Sequence, residues 1–262
     1  MDATFILLGT GAGPGLPSFF CDCAGCREAR DNPALARTRS GAFIDTGNSK
    51  LLIDASPDLR HQLIRESITR VDGIFMTHWH YDHFGGLGEL EYYIKLARNE
   101  AIPIYLPPSA VEQFTAAFPN LTEAFAVKSW QFARQYRVDS LGITPLPANH
   151  GIETAGFLLE TAGTKLAYYP DTAGLPAVSA GKVNGVDWLI CDATFHGDNW
   201  FPQAHMSLEQ AVDLGRQIGA KNTVLTHLAV HYSRPATSRQ LAEEAAAYEN
   251  VCVAYDGMRI KL

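Results

Sequence analysis

Short apolar runs recur along the whole chain and are separated by Gly, Pro, Asn and Asp. Twelve of them are five to seven residues long and rich in β-branched and aromatic residues, which is typical of buried strands. In chain order, the predicted strands are TFILLGT, SGAFIDT, KLLIDA, GIFMT, IPIYL, GITPLPA, TAGFLLE, KLAYYP, DWLICDA, NTVLTH, VCVAYD and MRIKL.

Five further segments carry apolar residues at helical spacing. In one of them, Leu87, Leu90, Tyr93, Ile94 and Ala97 lie at positions that share one face of a helix. No linker, repeat or low-complexity segment interrupts this alternation, so the pattern predicts one α/β domain over residues 1–262, with two sheets packed face to face and helices outside. The predicted helices are SPDLRHQLIRE, GELEYYIKLAR, SAVEQFTAAF, SLEQAVDLGRQIG and SRQLAEEAAAYE.

A glycine-rich stretch, GTGAGPG, follows the first strand and superficially suggests a dinucleotide-binding loop. Pro14 and Pro17 forbid the helix that should begin there, so we reject that interpretation. We expect these glycines to let the backbone approach another element closely.

The most concentrated polar motif, THWHYDH, lies between a predicted strand and a predicted helix. His78 and His80 are two apart in an extended segment, so their rings can face the same side and share one metal ion. Asp82 is placed to cap the following helix, and with His83 it can turn toward a second ion. Buried histidines without a common partner would be costly, which favours metal binding over a structural role.

Other polar residues end strand-like runs in the same way, namely His150, Asp171, Asp192 and His227. Any one of them alone would more often be a cap or a turn residue. Strand ends converge in a cleft in α/β architectures, so together they can supply a third histidine for each ion and a carboxylate that bridges the two.

Charge and hydrophobicity narrow the class of partner. The formal net charge of −7 argues against broad attachment to a polyanion or an anionic membrane. No apolar run is long enough to span a membrane, and FILLG lacks the basic flank of a signal peptide. We expect a cytoplasmic protein with a small substrate, no membrane and no bulk nucleic acid as partners, and leave a homodimer open.

Five cysteines give no even disulfide framework, and three of them are crowded into CDCAGC. Cys21, Cys23 and Cys26 predict a structural zinc element near residues 19–27, with a histidine as the fourth ligand. Cys191 and Cys252 lie in strand-like runs and are expected to be small core residues.

The HxHxDH motif and the later polar residues resemble the metallo-β-lactamase superfamily over nearly the whole chain. This resemblance implies an αββα sandwich of two mixed sheets with helices outside, and two divalent metal ions in the active site. Asp171 would bridge the ions, and Asp54 would orient the site without binding metal. The implied ligands are His78, His80 and His150 for one ion, and Asp82, His83 and His227 for the other.

Several stretches further resemble PhnP-type phosphodiesterases, which open phosphoribosyl cyclic phosphate: CDCAGCREAR, PLPANH followed by GFLLE, PDTAGLP and YDGMRI. This resemblance implies a phosphodiesterase acting on a small cyclic or nucleotide-like phosphodiester. Imidazole and carboxylate ligands suit Mn²⁺ and Zn²⁺ alike, and the resemblance favours Mn²⁺ in the active site. It also implies His231 as the fourth ligand of the structural Zn²⁺.

The stretch QAHMSLEQA places His205 just before a predicted helix, where the positive helix end favours phosphate. With CDATF and LTHLAVHY it also resembles the tRNA 3′-end endonucleases of the same superfamily. That resemblance implies His205 as general acid and Asp192 as its partner, and Asp82 is counted with them as a catalytic group. His61 and His196 have no comparable context and are interpreted as surface or structural residues.

Two alternative functions are weighed. A tRNA 3′-end endonuclease is less favoured because the chain lacks a long basic Gly/Pro-rich arm and is acidic. A non-hydrolytic PqqB-like role in cofactor biosynthesis is suggested by the shared cysteine trio and by ASPDLRHQL and ARTRSGAF. Members of that group often lack an intact HxHxDH motif, which this chain keeps. Thioester or lactam hydrolysis stays open, since the same ions polarise carbonyls.

Overall fold

The computed structural model describes residues 3–262 and forms two seven-stranded sheets packed face to face, with helices on both outer faces. Within these residues the strands are β1 (Thr4–Gly9), β2 (Gly41–Asp45), β3 (Lys50–Ile53), β4 (Gly73–Phe75), β5 (Ile102–Leu106), β6 (Phe125–Ser129), β7 (Tyr136–Val138), β8 (Leu141–Pro147), β9 (Ala155–Glu160), β10 (Lys165–Tyr169), β11 (Trp188–Asp192), β12 (Asn222–Thr226), β13 (Val251–Val253) and β14 (Arg259–Lys261).

Seven α-helices and four other helical segments connect the strands of the described part of the chain. The α-helices are α1 (Ala24–Asp31), α2 (Leu59–Arg65), α3 (Tyr81–Phe84), α4 (Val111–Ala117), α5 (Ala177–Val183), α6 (Leu208–Gln217) and α7 (Ser238–Ala245). Three 3₁₀ segments cover Pro33–Leu35, Leu87–Leu90 and Pro108–Ala110, and a π-helix covers Tyr93–Arg98.

Both sheets are mixed. The first has the order β14-β1-β2-β3-β4-β5-β6, antiparallel from β14 to β3 and parallel from β3 to β6. The second has the order β13-β12-β11-β10-β9-β8-β7, parallel from β13 to β10 and antiparallel from there to β7.

Strand alternation explains the layers. Phe5 and Leu7 of β1 belong to a core cluster that also contains Phe157 and Tyr168 of the second sheet, so it fills the space between the sheets. Ile6 and Leu8 point to the other face and pack with residues of α2 and α4. A third cluster lies between the second sheet and α1, α6 and α7. The expected αββα sandwich is confirmed.

All twelve predicted strands are present, but β6 and β7 were not predicted. Both are edge strands with mostly exposed or half-buried side chains, FAVKS and YRV. Since an edge strand buries little apolar area, the hydrophobic pattern that marks the other strands is absent from these two.

Two local predictions are wrong. The segment after the HxHxDH motif is a 3₁₀ turn followed by a π-helix, and not one regular α-helix. Asp82 is not an N-cap: α3 starts at Tyr81, its N-cap is His80, and no side chain caps it. The carboxylate of Asp82 instead faces two imidazoles, which outweigh a capping hydrogen bond.

The glycines after β1 do allow close backbone approach. A Cβ atom on Gly11 would lie 2.9 Å from the Arg37 carbonyl oxygen, and one on Gly13 would lie 3.3 Å from Asp82 Oδ2. Such separations leave no room for a larger side chain, so this loop can lie directly against the motif.

The two remaining cysteines differ. Cys191 is buried as predicted, but Cys252 is exposed, which contradicts its assignment to the core. Cys252 lies in the edge strand β13 and points away from its half-buried neighbours Val251 and Val253.

None of the helices between residues 3 and 262 has the length and apolar character needed to cross a membrane.

Candidate metal centre

The HxHxDH motif directly follows the carboxyl end of β4, where backbone hydrogen bonds connect the two sheets. Met76 still donates its N–H to the Tyr105 oxygen at 2.9 Å, as the next residue of the strand would. The Thr77 oxygen then accepts from the Ala155 N–H of the second sheet at 2.9 Å. The motif is therefore held by the backbones of both sheets, and α3 begins directly after it.

Three imidazoles converge in the first group. His80 Nδ1 lies 2.9 Å from His78 Nε2 and 3.1 Å from His150 Nε2. On the far side of the rings, His150 Nδ1 donates to the Ala204 oxygen at 2.8 Å, and His78 Nδ1 lies 2.9 Å from the Thr77 hydroxyl. Burial lowers the pKa of His78 and His150, which favours the neutral rings that a metal ion requires as ligands.

The second group consists of Asp82, His83 and His227. Asp82 Oδ2 lies 3.6 Å from His83 Nε2 and 3.6 Å from His227 Nε2. Each ring is again fixed from behind: His83 Nδ1 lies 2.8 Å from Asp54 Oδ2, and His227 Nδ1 lies 2.8 Å from Thr194 Oγ1. Such outer contacts orient metal-binding histidines.

Asp171 lies between the two groups at the end of β10. Its Oδ2 is 2.9 Å from His83 Nε2, and its Oδ1 is 3.2 Å from His227 Nε2 and 3.7 Å from His150 Nε2. Although burial opposes ionisation, the charges of His227 and His83 hold the pKa of Asp171 well below its usual range. A buried carboxylate anion thus faces histidines of both groups.

The residues fit divalent metal ions, which the fold implies. His83 Nε2, His227 Nε2 and Asp171 Oδ2 are buried, yet within the described residues none has a hydrogen-bonding partner in suitable geometry. Burial alone would raise the pKa of Asp82, but His83 and His227 lower it to about 2. Unpaired polar atoms and buried anions are costly, and cations in the shared space would satisfy both.

Asp54 has the surroundings expected of an orienting residue. It is buried and accepts the Thr77 N–H at 2.8 Å and the Thr77 hydroxyl at 2.9 and 3.0 Å, while its Oδ2 faces His83. Its backbone is left-handed, with φ of 64°. The carboxylate is thus anchored within the motif and touches one ring from behind.

His205 and Asp192 form the predicted pair. His205 Nδ1 lies 2.7 Å from Asp192 Oδ2, so Nδ1 donates to the carboxylate and Nε2 carries a proton when the ring is an imidazolium. Burial lowers the pKa of His205, but the hydrogen bond and charge of Asp192 outweigh burial and raise it above its ordinary value. Asp192 also accepts the N–H groups of Thr172, Thr194 and Met206, at 3.2, 2.9 and 3.1 Å.

Two contributors were missed by the sequence analysis. Thr194 Oγ1 touches both His227 Nδ1 at 2.8 Å and His205 Nδ1 at 3.2 Å, and Thr77 links Asp54 to His78. Thr194 comes two residues after Asp192, and Thr77 directly precedes His78. A search for hydroxyls beside strand-end ligands would have found both, because metal-bound histidines need a partner for the second ring nitrogen.

The three cysteines meet at the start of α1. The sulfur atoms of Cys21, Cys23 and Cys26 all lie within 4.8 Å of one another, and burial raises the pKa of Cys26 to about 11. The ring nitrogens of His231 do not lie within 4.8 Å of all three sulfurs, but both are buried and lack hydrogen-bonding partners among the described residues. Its ring lies 6.5 Å from that of Phe20, beside Cys21. Its ligand role stays a prediction.

The other two histidines have no place in the centre. His61 is exposed on α2. His196 is buried, with its Nδ1 2.6 Å from the Arg234 oxygen and its Nε2 2.8 Å from Glu244 Oε2. Its contacts are those of a residue that fixes a loop.

A cavity of about 300 Å³ opens onto the centre. His80, Asp82, Asp171 and His227 line it, and so does His205. A volume at the lower end of the range for ligand sites suits a small molecule.

Comparison with known proteins gives the family. The model of the family described as Beta-lactamase superfamily domain matches residues 49–228. Among curated relatives, an octanoyltransferase of Porphyromonas gingivalis is 26% identical over 86% of this chain, which spans only 46% of that protein. Coenzyme PQQ synthesis protein B of Pseudomonas fluorescens is 26% identical over 98% of this chain and 99% of its own length.

Solved structures share the fold over the whole chain. A new diphosphatase from the PhnP family superimposes with a TM-score of 0.87 at 25% identity, covering 99% of this chain and 98% of its own. The short form of human tRNase Z has a TM-score of 0.71 at 20% identity, covering 98% of each chain. The expected resemblance to the metallo-β-lactamase superfamily and to PhnP-type proteins is confirmed.

Proposed function

The chain belongs to the Beta-lactamase superfamily domain family, whose fold supports a metal-dependent hydrolase, and on that premise we propose a two-metal phosphodiesterase acting on a small phosphodiester. The observation that carries the proposal is the position of Asp171 between two groups of ligands, with the His205–Asp192 pair beside them. The substrate would be a cyclic phosphate or a nucleotide-like diester.

The two groups would each hold one ion, and Asp171 would serve as a ligand together with both groups. Bound Mn²⁺ or Zn²⁺ would supply Lewis acidity to the phosphoryl oxygens and activate water at neutral pH. Imidazole and carboxylate suit either metal. Thr77, Thr194 and Asp54 hold the rings so that their free nitrogens face the shared space.

His205 gives the proposal its specificity for phosphodiesters. Alkoxide leaving groups need a proton, and His205 lines the cavity with a carboxylate against its Nδ1. Asp192 accepts the Nδ1 proton and stabilises the imidazolium, whose Nε2 proton would be the one given to the leaving group. Carbonyl chemistry such as lactam opening needs such an acid less.

The size and charge of the protein support a small substrate over tRNA. The cavity of about 300 Å³ accommodates a nucleotide-sized molecule, and the chain has a net charge of −7. Nucleic-acid affinity arises mostly from Lys and Arg contacts to phosphates, so an acidic protein is a poor tRNA binder unless it has a basic arm.

A non-hydrolytic role like that of coenzyme PQQ synthesis proteins is the second candidate. The similarity to one such protein over 98% of this chain supports it. The complete set of ligands in the two groups supports hydrolysis instead, because a binding protein has no need of a general acid paired with a buried carboxylate.

The cysteine trio is proposed to hold a structural Zn²⁺. Three sulfurs within 4.8 Å of one another form most of a tetrahedral site. His231 is the proposed fourth ligand, since its buried nitrogens lack partners among the described residues.

Hydrolysis of phosphodiesters tests the function. Protein stripped by a chelator and reloaded with Mn²⁺ or Zn²⁺ is assayed on adenosine 2′,3′-cyclic phosphate and on bis(p-nitrophenyl) phosphate. We expect activity only in the reloaded protein. His150→Ala removes a ligand and should abolish it, whereas the matched control His61→Ala changes an exposed histidine and should behave as wild type. A reloaded, folded protein that hydrolyses neither ester would refute the proposal.

A further inference from the structure

An exposed aromatic patch borders the cavity of the metal centre. Trp200, Phe201 and Tyr232 line this cavity together with His205. Trp200 is 61% exposed and Phe201 is 40% exposed. Exposing large apolar rings at a site mouth forgoes the stabilisation that burial would give, which is typical of surfaces that bind a ligand.

The rings are supported from below by a buried aromatic side chain. Phe195 is buried and contacts Trp200 edge to face at a centroid distance of 4.9 Å, and it stacks on Tyr232 at 5.7 Å. Trp200 and Tyr232 are 5.4 Å apart. Trp200 and Tyr232 therefore pack on a buried ring, while much of the Trp200 side chain stays exposed.

The backbone that carries Trp200 and Phe201 is also fixed. Asn199 Nδ2 donates to the His205 oxygen at 2.8 Å and to Gln210 Oε1 at 2.9 Å, and Asn199 Oδ1 accepts the Phe201 N–H at 3.0 Å. The His205 N–H donates to the Phe201 oxygen at 3.2 Å. One short hydrogen-bonded segment thus links the aromatic patch to His205, so a ligand group on the patch would have a defined distance to it.

The distances describe a path from the reacting centre to the patch. The ring of Phe201 lies 6.0 Å from that of His205, and the rings of Trp200 and Phe201 are 6.3 Å apart. A substrate with its phosphodiester at His205 would extend its next group over these rings.

The residues that line the cavity also argue against a charged group at this position of the substrate. Among the described residues that line it, none is Lys or Arg. A second phosphate on the substrate would need a cationic side chain there. Aromatic faces instead suit an uncharged planar ring.

We propose that Trp200, Phe201 and Tyr232 form a stacking platform for the purine or pyrimidine base of the substrate, which makes the enzyme selective for nucleotides over base-free sugar phosphates. This inference rests on the proposed function for the position of the phosphodiester. Base stacking on aromatic side chains tolerates different bases, so the platform would distinguish the presence of a base more than its identity.

Two pairs of compounds test the platform in metal-loaded protein. Binding of adenosine 5′-monophosphate and ribose 5-phosphate is measured by calorimetry, and kcat/KM is measured on adenosine 2′,3′-cyclic phosphate and methyl riboside 2,3-cyclic phosphate. Wild type should prefer the base-bearing member of each pair by about 5- to 150-fold, the range that loss of one stacking contact gives. Trp200→Ala should remove most of the preference, and Trp200→Phe should keep most of it.

Tyr92→Ala is the matched control, since Tyr92 is 71% exposed and does not line this cavity. It should leave both ratios unchanged. The inference is overturned if wild type binds the two monophosphates within twofold of each other. It is also overturned if Trp200→Ala, with normal melting, keeps the wild-type ratio. If the protein cleaves no phosphodiester, the proposed function fails, and the binding ratio still decides the platform.

Discussion

Replacement of His205 by alanine separates phosphodiester chemistry from metal binding. The imidazole is held by Asp192 at 2.7 Å and is not part of either group of proposed ligands, so His205→Ala should keep both metal ions. General-acid catalysis contributes on the order of 10² to 10⁴ in rate, which is about 2.7–5.4 kcal/mol of transition-state stabilisation. We expect a loss of that size on an alkyl or ribosyl diester.

The leaving group gives the sharper readout. Nitrophenolate departs with little proton assistance, so bis(p-nitrophenyl) phosphate should suffer far less than the ribosyl diester. Both substrates are assayed in wild type and His205→Ala at equal metal occupancy. Equal losses on both would mean that His205 only binds phosphate, and no loss on either would refute its catalytic role.

Asp192→Asn is expected to cost both activity and stability. The carboxylate accepts three backbone N–H groups besides His205. An amide NH₂ in its place would face at least one of these donors, which leaves buried groups unpaired at about 1–3 kcal/mol each. Its activity is therefore compared with wild type only after the folded fraction has been measured by thermal melting.

Two further predictions concern the supports of the two sites. Thr194→Val removes the hydroxyl 2.8 Å from His227 Nδ1 and should weaken metal binding about 10- to 100-fold in a competition with chelators, and unchanged affinity would contradict the orienting role. Cys23→Ser should lower the melting temperature by roughly 8–16 °C when zinc is present at about 1,000 times its Kd. Cys252→Ser, at an exposed cysteine, should not, and equal melting of the two variants would contradict the structural zinc site.

Much of the metal centre was predictable because its residues either lie close together in the sequence or stand at the ends of strands. His78, His80, Asp82 and His83 lie within six positions, and His150 follows a strand like the others. A polar residue that ends an apolar run lies at the end of a strand. The alternation of side chains along that strand then gives the face to which the residue points, and both features are visible in the sequence.

The supporting contacts were not predictable in the same way. The Ala204 oxygen that fixes His150 comes from a residue 54 positions away, and any backbone carbonyl offers the same chemistry. The capping role of Asp82 was wrong because local propensity competes with tertiary contacts, and here His83 and His227 draw the carboxylate inward. The edge strands β6 and β7 lacked an apolar signal because they bury little.

The central claim is a pair of ions held by two groups that share Asp171. Anomalous diffraction from crystals grown with Mn²⁺ tests it most directly. We expect two peaks about 3.5–4 Å apart, one against His78, His80 and His150, the other against Asp82, His83 and His227, with Asp171 between them. A single peak in a fully active crystal preparation, or peaks away from these residues, would contradict the account.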